Sequence, residues 1–148
     1  MRSKKKLLWA AVAAAVLTIP ARANLSFGQA TQFFPLTPCR VVDTRNITPP
    51  KLSGGQTRSF SVKGSCGVPN DASAISYNLT AINPTVQGHF RIFPHGVTMP
   101  NASAVNFIAS SVIANGGVVS LSGGSPDLSL FLNAGQADAA LDVTGYFK

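Results

Sequence analysis

Arg40, Asp43 and Arg45 crowd into one short stretch of the chain. On a strand, residues two apart share a face, so Asp43 and Arg45 can sit side by side. Two chemistries suit the trio. The plainer is a structural ion pair or clamp, joining this segment to the C-terminal one near Asp142. The sharper is recognition, with a guanidinium fork gripping an acidic or hydroxyl-rich ligand. His89 and His95 are the two histidines, and they flank the run from Phe90 to Pro94. A metal wants three or four ligands at tight spacing. Here the neighbours are Arg91 and Pro94, so neither a metal site nor a cofactor is expected. Sugar hydrolysis by acid–base chemistry needs two carboxylates at a defined separation. The acidic residues are five Asp with no Glu, and no G-x-S-x-G elbow is present. The chain therefore reads as a non-enzyme. As ligand contacts it offers Arg45, Arg91, His95 and Asn106. Tyr77, Tyr146, Phe93 and Phe131 are the rings that would either stack on a sugar or fill a core.

Cys39 and Cys66 are the two cysteines. A bridge between them is the favoured reading, contributing roughly 3–4 kcal/mol by chain entropy. Two thiols or a redox pair are the alternatives, though a redox pair normally uses a C-x-x-C that is absent. The compartment follows from the N-terminus. Lys4, Lys5 and Lys6 precede a 13-residue apolar run from Leu7 to Ile19, then Pro20 and Ala21-Arg22-Ala23. This is the pattern of a signal peptide, residues 1–23, cleaved after Ala23. The run is short of the ~20 residues a membrane span needs, so a retained anchor is the weaker alternative. Export implies a secreted, periplasmic or cell-surface protein, with no membrane association after cleavage.

Removing the signal changes the charge. The whole chain carries +7, with 12 basic residues. Five of them leave with the signal; the remaining seven face five Asp, for a net +2. Those seven are scattered, so no nucleic-acid surface is expected.

The elements that must hold these residues read as strands. After a leader over 24–33, turn residues recur every ten or so positions. Between them lie Arg40–Thr44, Thr57–Val62, Ala74–Ile82, Gly88–Phe93, Ala104–Ile108, Val112–Leu121, Leu128–Leu132 and Ala139–Phe147. The clearest alternation places Ile75, Tyr77, Leu79 and Ala81 on one face. Val112–Leu121 is either one bent strand or two, because Gly116-Gly117 interrupts it. In the last segment Ala139, Leu141, Val143 and Phe147 fall on one side, with Asp142, Thr144 and Tyr146 on the other. No helical stripe appears after the signal. The reading is an all-β domain over 34–148, an antiparallel β-sandwich or jelly roll of about eight strands. The Pro-rich entry Phe34–Pro38 suits an edge.

Three blocks resemble a family of small exported bacterial domains. They are Pro35-Leu36-Thr37-Pro38-Cys39-Arg40-Val41-Val42-Asp43-Thr44-Arg45, the stretch from Asn78-Leu79-Thr80 through Asn83-Pro84-Thr85 to Ala114-Asn115, and Asp142-Val143-Thr144-Gly145-Tyr146-Phe147. Together they are similar to the L-x-P-x-R-x-x-D-T-R … D-V-x-G-Y-F pattern of actinobacterial and acidobacterial surface proteins. The resemblance implies an exported β domain and no particular activity.

Function is then expected to be adhesion, assembly or envelope interaction without catalysis. Partners would be envelope polysaccharide or other surface proteins, and exposed sheet edges would suit self-association. A carbohydrate-binding module, touching ligand around Arg91, His95 and Asn106, is the alternative. A small exported hydrolase ranks last.

Overall fold

The β-branched and aromatic runs form nine strands in the computed structural model, which describes residues 30–148. These are β1 (Phe33–Asp43), β2 (Leu52–Ser53), β3 (Thr57–Phe60), β4 (Ala74–Ile82), β5 (Gly88–Pro94), β6 (Val105–Phe107), β7 (Val112–Ser120), β8 (Leu128–Leu132) and β9 (Gln136–Phe147). The expected signal peptide and the first part of the leader lie outside the described residues.

Two antiparallel sheets result. One has the order β1-β9-β4-β7, with β2 added to the start of β9; the other has the order β3-β8-β5-β6. The pairings β1·β9, β3·β8, β4·β7 and β5·β6 are nested. The chain is thus one long two-stranded ribbon that runs out to the β5–β6 turn and back. The lateral pairings β4·β9 and β5·β8 close that ribbon into two layers. This winding is a jelly roll, the second of the two all-β forms the sequence allows. Ile75, Leu79, Leu141 and Val143 from one sheet meet Phe90, Leu128, Leu130 and Leu132 from the other in a shared core.

Several local differences from the pattern reading have physical causes. The first strand begins at Phe33 rather than Arg40, because Pro35 and Pro38 stand on an edge strand, where missing N–H groups are tolerated. The Gly116-Gly117 pair does not break β7. Gly117 faces Tyr77, and a Cβ there would meet the Tyr77 Oη at 2.7 Å, so the glycine makes room for the ring. A bulge in β9 exchanges the faces expected at its end. The β4·β9 register steps from Tyr77↔Val143 to Ser76↔Gly145, so one residue drops out of the alternation. Tyr146 consequently packs against the core, and Phe34 stacks on it at 5.0 Å. Phe147 instead meets Phe33 at 5.1 Å. The two-residue β2 is too short to carry a pattern at all.

Cys39 and Cys66 form a disulfide. It ties the turn after β3 to the edge strand β1. That turn is tightly wound: Cys66 has φ 54° and lies between Gly64 and Gly67, both near +80°.

Candidate functional site

The chemistry-bearing residues separate into two groups, one on each sheet. The first group surrounds the Asp43-Thr44-Arg45 stretch at the end of β1. Asp43 is 2% exposed. Its carboxylate accepts Nε and Nη2 of Arg45 at 2.9 and 2.7 Å, and the Arg45 backbone N–H at 3.1 Å. Nη1 of Arg40 lies 3.3 Å away. The bidentate Arg45 fork is the main reason that Asp43 titrates far below the ordinary carboxylate range. Arg40 bridges the first and last strands, donating Nε and Nη2 to the two oxygens of Asp142 at 2.8 and 3.0 Å. That bond raises the Arg40 guanidinium pKa above its usual value.

Thr44 completes the junction. Its hydroxyl donates to Asp138 Oδ1 at 2.7 Å and accepts the Ala139 N–H at 3.0 Å. Asp138 also sits 3.8 Å from Lys51 Nζ. The carbonyl of Asp43 accepts the N–H groups of Ile47 and Thr48, both at 2.9 Å. The Asp43 carboxylate and the Thr44 hydroxyl are thus both satisfied internally. The arrangement is a clamp between β1 and β9, and the Arg45 guanidinium is paired with Asp43 while remaining 46% exposed.

The second group lies on the outer surface of the four-stranded sheet. Phe90, Leu128, Leu130 and Leu132 point to the core. Alternation then puts His89, Arg91, Phe93, Ser129, Phe131, Ser59 and Asn106 on the opposite face. Asn106 stands directly across from His89, Arg91 across from Phe131, and Ser129 between Phe93 and Ser59. The Arg91 guanidinium lies over the Phe131 ring at 5.6 Å, a cation–π contact. It donates Nε to His89 Nε2 at 3.1 Å and Nη1 to the Pro100 carbonyl at 3.1 Å. Those bonds use two of its five N–H groups. Burial, and then the Arg91 charge, lower the His89 pKa. The ring is accordingly neutral at pH 7 and accepts from Arg91 through Nε2.

His95 follows β5 on the same side. Its Nδ1 lies 2.9 Å from the Ser59 hydroxyl and 3.3 Å from that of Ser129, and the two hydroxyls are 3.0 Å apart. Arg91, His95 and Asn106, separated in the sequence, thus share one surface. Arg45 belongs to the other sheet. Of the four rings considered for stacking, Tyr77 and Phe93 are buried, Tyr146 packs against the core, and Phe131 is the partly exposed one on this surface.

A hollow of about 350 Å³ lies elsewhere, lined by Lys63, Asn70, Gly123, Gly124, Ser125 and Asp127. Its charged groups are engaged in holding loops. Asp127 is fully buried, and its carboxylate accepts the N–H groups of Val62 and Lys63, each at 3.0 Å. Lys63 Nζ donates to the Ser122 carbonyl at 2.7 Å. Sequence reasoning missed this role of Asp127. Its only signal was an Asp after Pro126 at the mouth of a strand. Among the described residues, no group of three His, Cys, Asp or Glu side chains could hold a metal ion.

The disulfide points to a location outside the reducing cytoplasm. No helix among the described residues is long and apolar enough to cross a membrane. The chain matches no protein-family model and no curated protein.

Proposed function

We propose that the protein is an exported, non-catalytic jelly-roll domain that binds the cell envelope through the outer surface of its four-stranded sheet. One observation carries the reading. Arg91, His89, Asn106 and Phe131, from three different strands, form a contiguous polar surface around a partly exposed ring. A ring face with hydrogen-bonding groups beside it suits a hydroxyl-rich polymer: the ring packs on CH groups while the polar groups orient hydroxyls. The remaining N–H groups of Arg91 suit an acidic or hydroxylated substituent. Envelope polysaccharide is therefore the ligand class we infer, which unites the adhesion and carbohydrate-binding expectations. The absence of catalysis is part of the proposal. It is supported by His95, whose Nδ1 is shared between two hydroxyls, where a hydrolytic triad would place a carboxylate. The resemblance of the sequence blocks to exported surface domains runs the same way.

Retention on purified cell walls and a polysaccharide array, both at low salt, tests the proposal. Wild-type protein should be retained, and Arg91→Ala with Asn106→Ala should weaken retention at least tenfold in a variant that circular dichroism shows to be folded at the assay temperature. Silence on both supports, or retention that survives the double substitution, overturns it.

A further inference from the structure

A jelly roll of two open sheets has four outer edges, and in this protein three of them are protected against strand addition. β1 carries Pro35, Pro38, two register shifts and the disulfide. β3 has four residues, one of them Arg58, and β6 has three. Prolines, bulges, charges and shortness are the recognised ways of blunting an edge.

β7 has none of these. It is nine residues long, Val112-Ile113-Ala114-Asn115-Gly116-Gly117-Val118-Val119-Ser120, with no proline and no charge. It pairs with β4 at every position without a register shift. The bonds just beyond each end fix which of its backbone groups are used. Asn83 N–H donates to the Ser111 carbonyl, and Leu121 N–H to the Ser73 carbonyl. Antiparallel strands alternate bonded and non-bonded positions. The odd-numbered residues of β7 therefore bond to β4, and the even-numbered ones turn N–H and C=O away from it. Those same residues, Val112, Ala114, Gly116, Val118 and Ser120, are all exposed. Val112 and Val118 are 65% and 60% exposed. The Asn115 side chain donates to the Ala104 carbonyl, so the inner side of the strand is already tied to the opposite layer.

We propose that β7 pairs antiparallel with β7 of a second copy of this chain, joining two five-stranded sheets into one. The symmetry selects this occupant. A two-fold axis through Gly116 sets Gly116 against Gly116, Ala114 against Val118 and Val112 against Ser120. Every one of these is an even-numbered position, so about ten N–H···O bonds form between groups the fold leaves outward. The axis also gathers any charge on the strand and its image into one junction, and β7 carries none to repel. Glycine at the axis lets the backbones approach, while the bulkiest side chains, Val118 and Val112, each lie against a small partner.

Light scattering over a concentration series on the purified protein tests this. Wild type should approach twice its monomer mass as concentration rises. Val118→Pro removes one outward N–H that β4 does not use, and should give a monomer at all concentrations with an unchanged melting temperature. Ala114→Lys places a charge at the junction and should do the same; it decides the matter if the proline variant fails to fold. Gly116→Cys, which meets only an ordinary contact with Tyr77, should cross-link into a covalent dimer on oxidation. A wild-type chain that stays monomeric overturns the proposal, and so does a dimer that persists in the folded Ala114→Lys variant. Envelope retention uses the other sheet, so its outcome is read separately.

Discussion

Replacing Asp43 by Asn tests the ion pair that closes the end of β1. The substitution keeps the size of the side chain and one acceptor oxygen, and removes the charge. The Arg45 backbone N–H, at 3.1 Å, can still be satisfied. What changes is the pair of guanidinium bonds at 2.9 and 2.7 Å. Asn keeps one oxygen for Nε and sets an NH2 donor against Nη2, so one bond between charged groups is lost outright, at about 2 kcal/mol. The contact at 3.3 Å with Arg40 adds little. Arg45 and Arg40 are 46% and 39% exposed and regain water when released, which makes 2 kcal/mol an upper figure. For a domain of this size the loss corresponds to a melting point lowered by roughly 6–10 °C at pH 7.

The pH dependence separates an ionised clamp from simple packing. The folded pKa of Asp43 is depressed, so its contribution is complete above the unfolded value near 4 and fades as pH falls below it. At pH 3 the unfolded chain has taken up most of a proton while the folded chain has not. Linkage then removes up to about 1.3 kcal/mol from the wild type and nothing from the Asn variant. Urea melts at pH 7 and pH 3 should show the gap shrinking from about 2 to about 0.7 kcal/mol on this arithmetic. A gap of the same size at both pH values, or no gap at pH 7, refutes the reasoning.

Two further perturbations act on the loops. Cys39→Ser with Cys66→Ser opens a link spanning 27 positions and should cost about 3.5 kcal/mol by chain entropy, read from urea midpoints; a loss below about 1 kcal/mol would remove the disulfide as a principal staple. Asp127→Ala strips the acceptor from the N–H groups of Val62 and Lys63, the first of them in a residue with no exposure, and should cost about 3 kcal/mol, whereas a loss within 0.5 kcal/mol would mean that water replaces the carboxylate.

Strand positions were readable where one face is buried and the other is not. Ala74–Ile82 matches the structure residue for residue because its side chains alternate between the core and a less buried face, and Leu128–Leu132 matches through the spacing of its leucines although Ser129 is buried as well. The same logic failed in β9, where the bulge at Thr144 moved Tyr146 to the core side. A bulge is set by the partner strand's register, and a single strand's pattern does not contain it. Val112–Leu121 was ambiguous for a related reason. Glycine signals a break when read alone, yet Gly117 is required by the Tyr77 ring on the neighbouring strand. Gly145, in the C-terminal motif, is similar: a Cβ there would lie 2.8 Å from the Phe34 carbonyl oxygen on the neighbouring strand.

The two sites differ in legibility on the same principle. Asp43, Thr44 and Arg45 are adjacent in sequence, so a clamp could be read from their spacing, and only the partners Asp138 and Asp142 had to come from the far end of the chain. The surface on the other sheet is assembled across strands. Arg91 meets Phe131, forty positions later, and His89 meets Asn106, because the ribbon folds back at β5–β6 and β8 then lies beside β5. Local pattern supplies the face on which each residue points, and topology supplies which residues become neighbours. A ring under a guanidinium is a product of the second. For that reason Arg91, His95, Asn106 and Phe131 were legible as separate candidates, while Ser59 and Ser129, and His89 as a partner of Arg91, acquire a role only once the register is fixed.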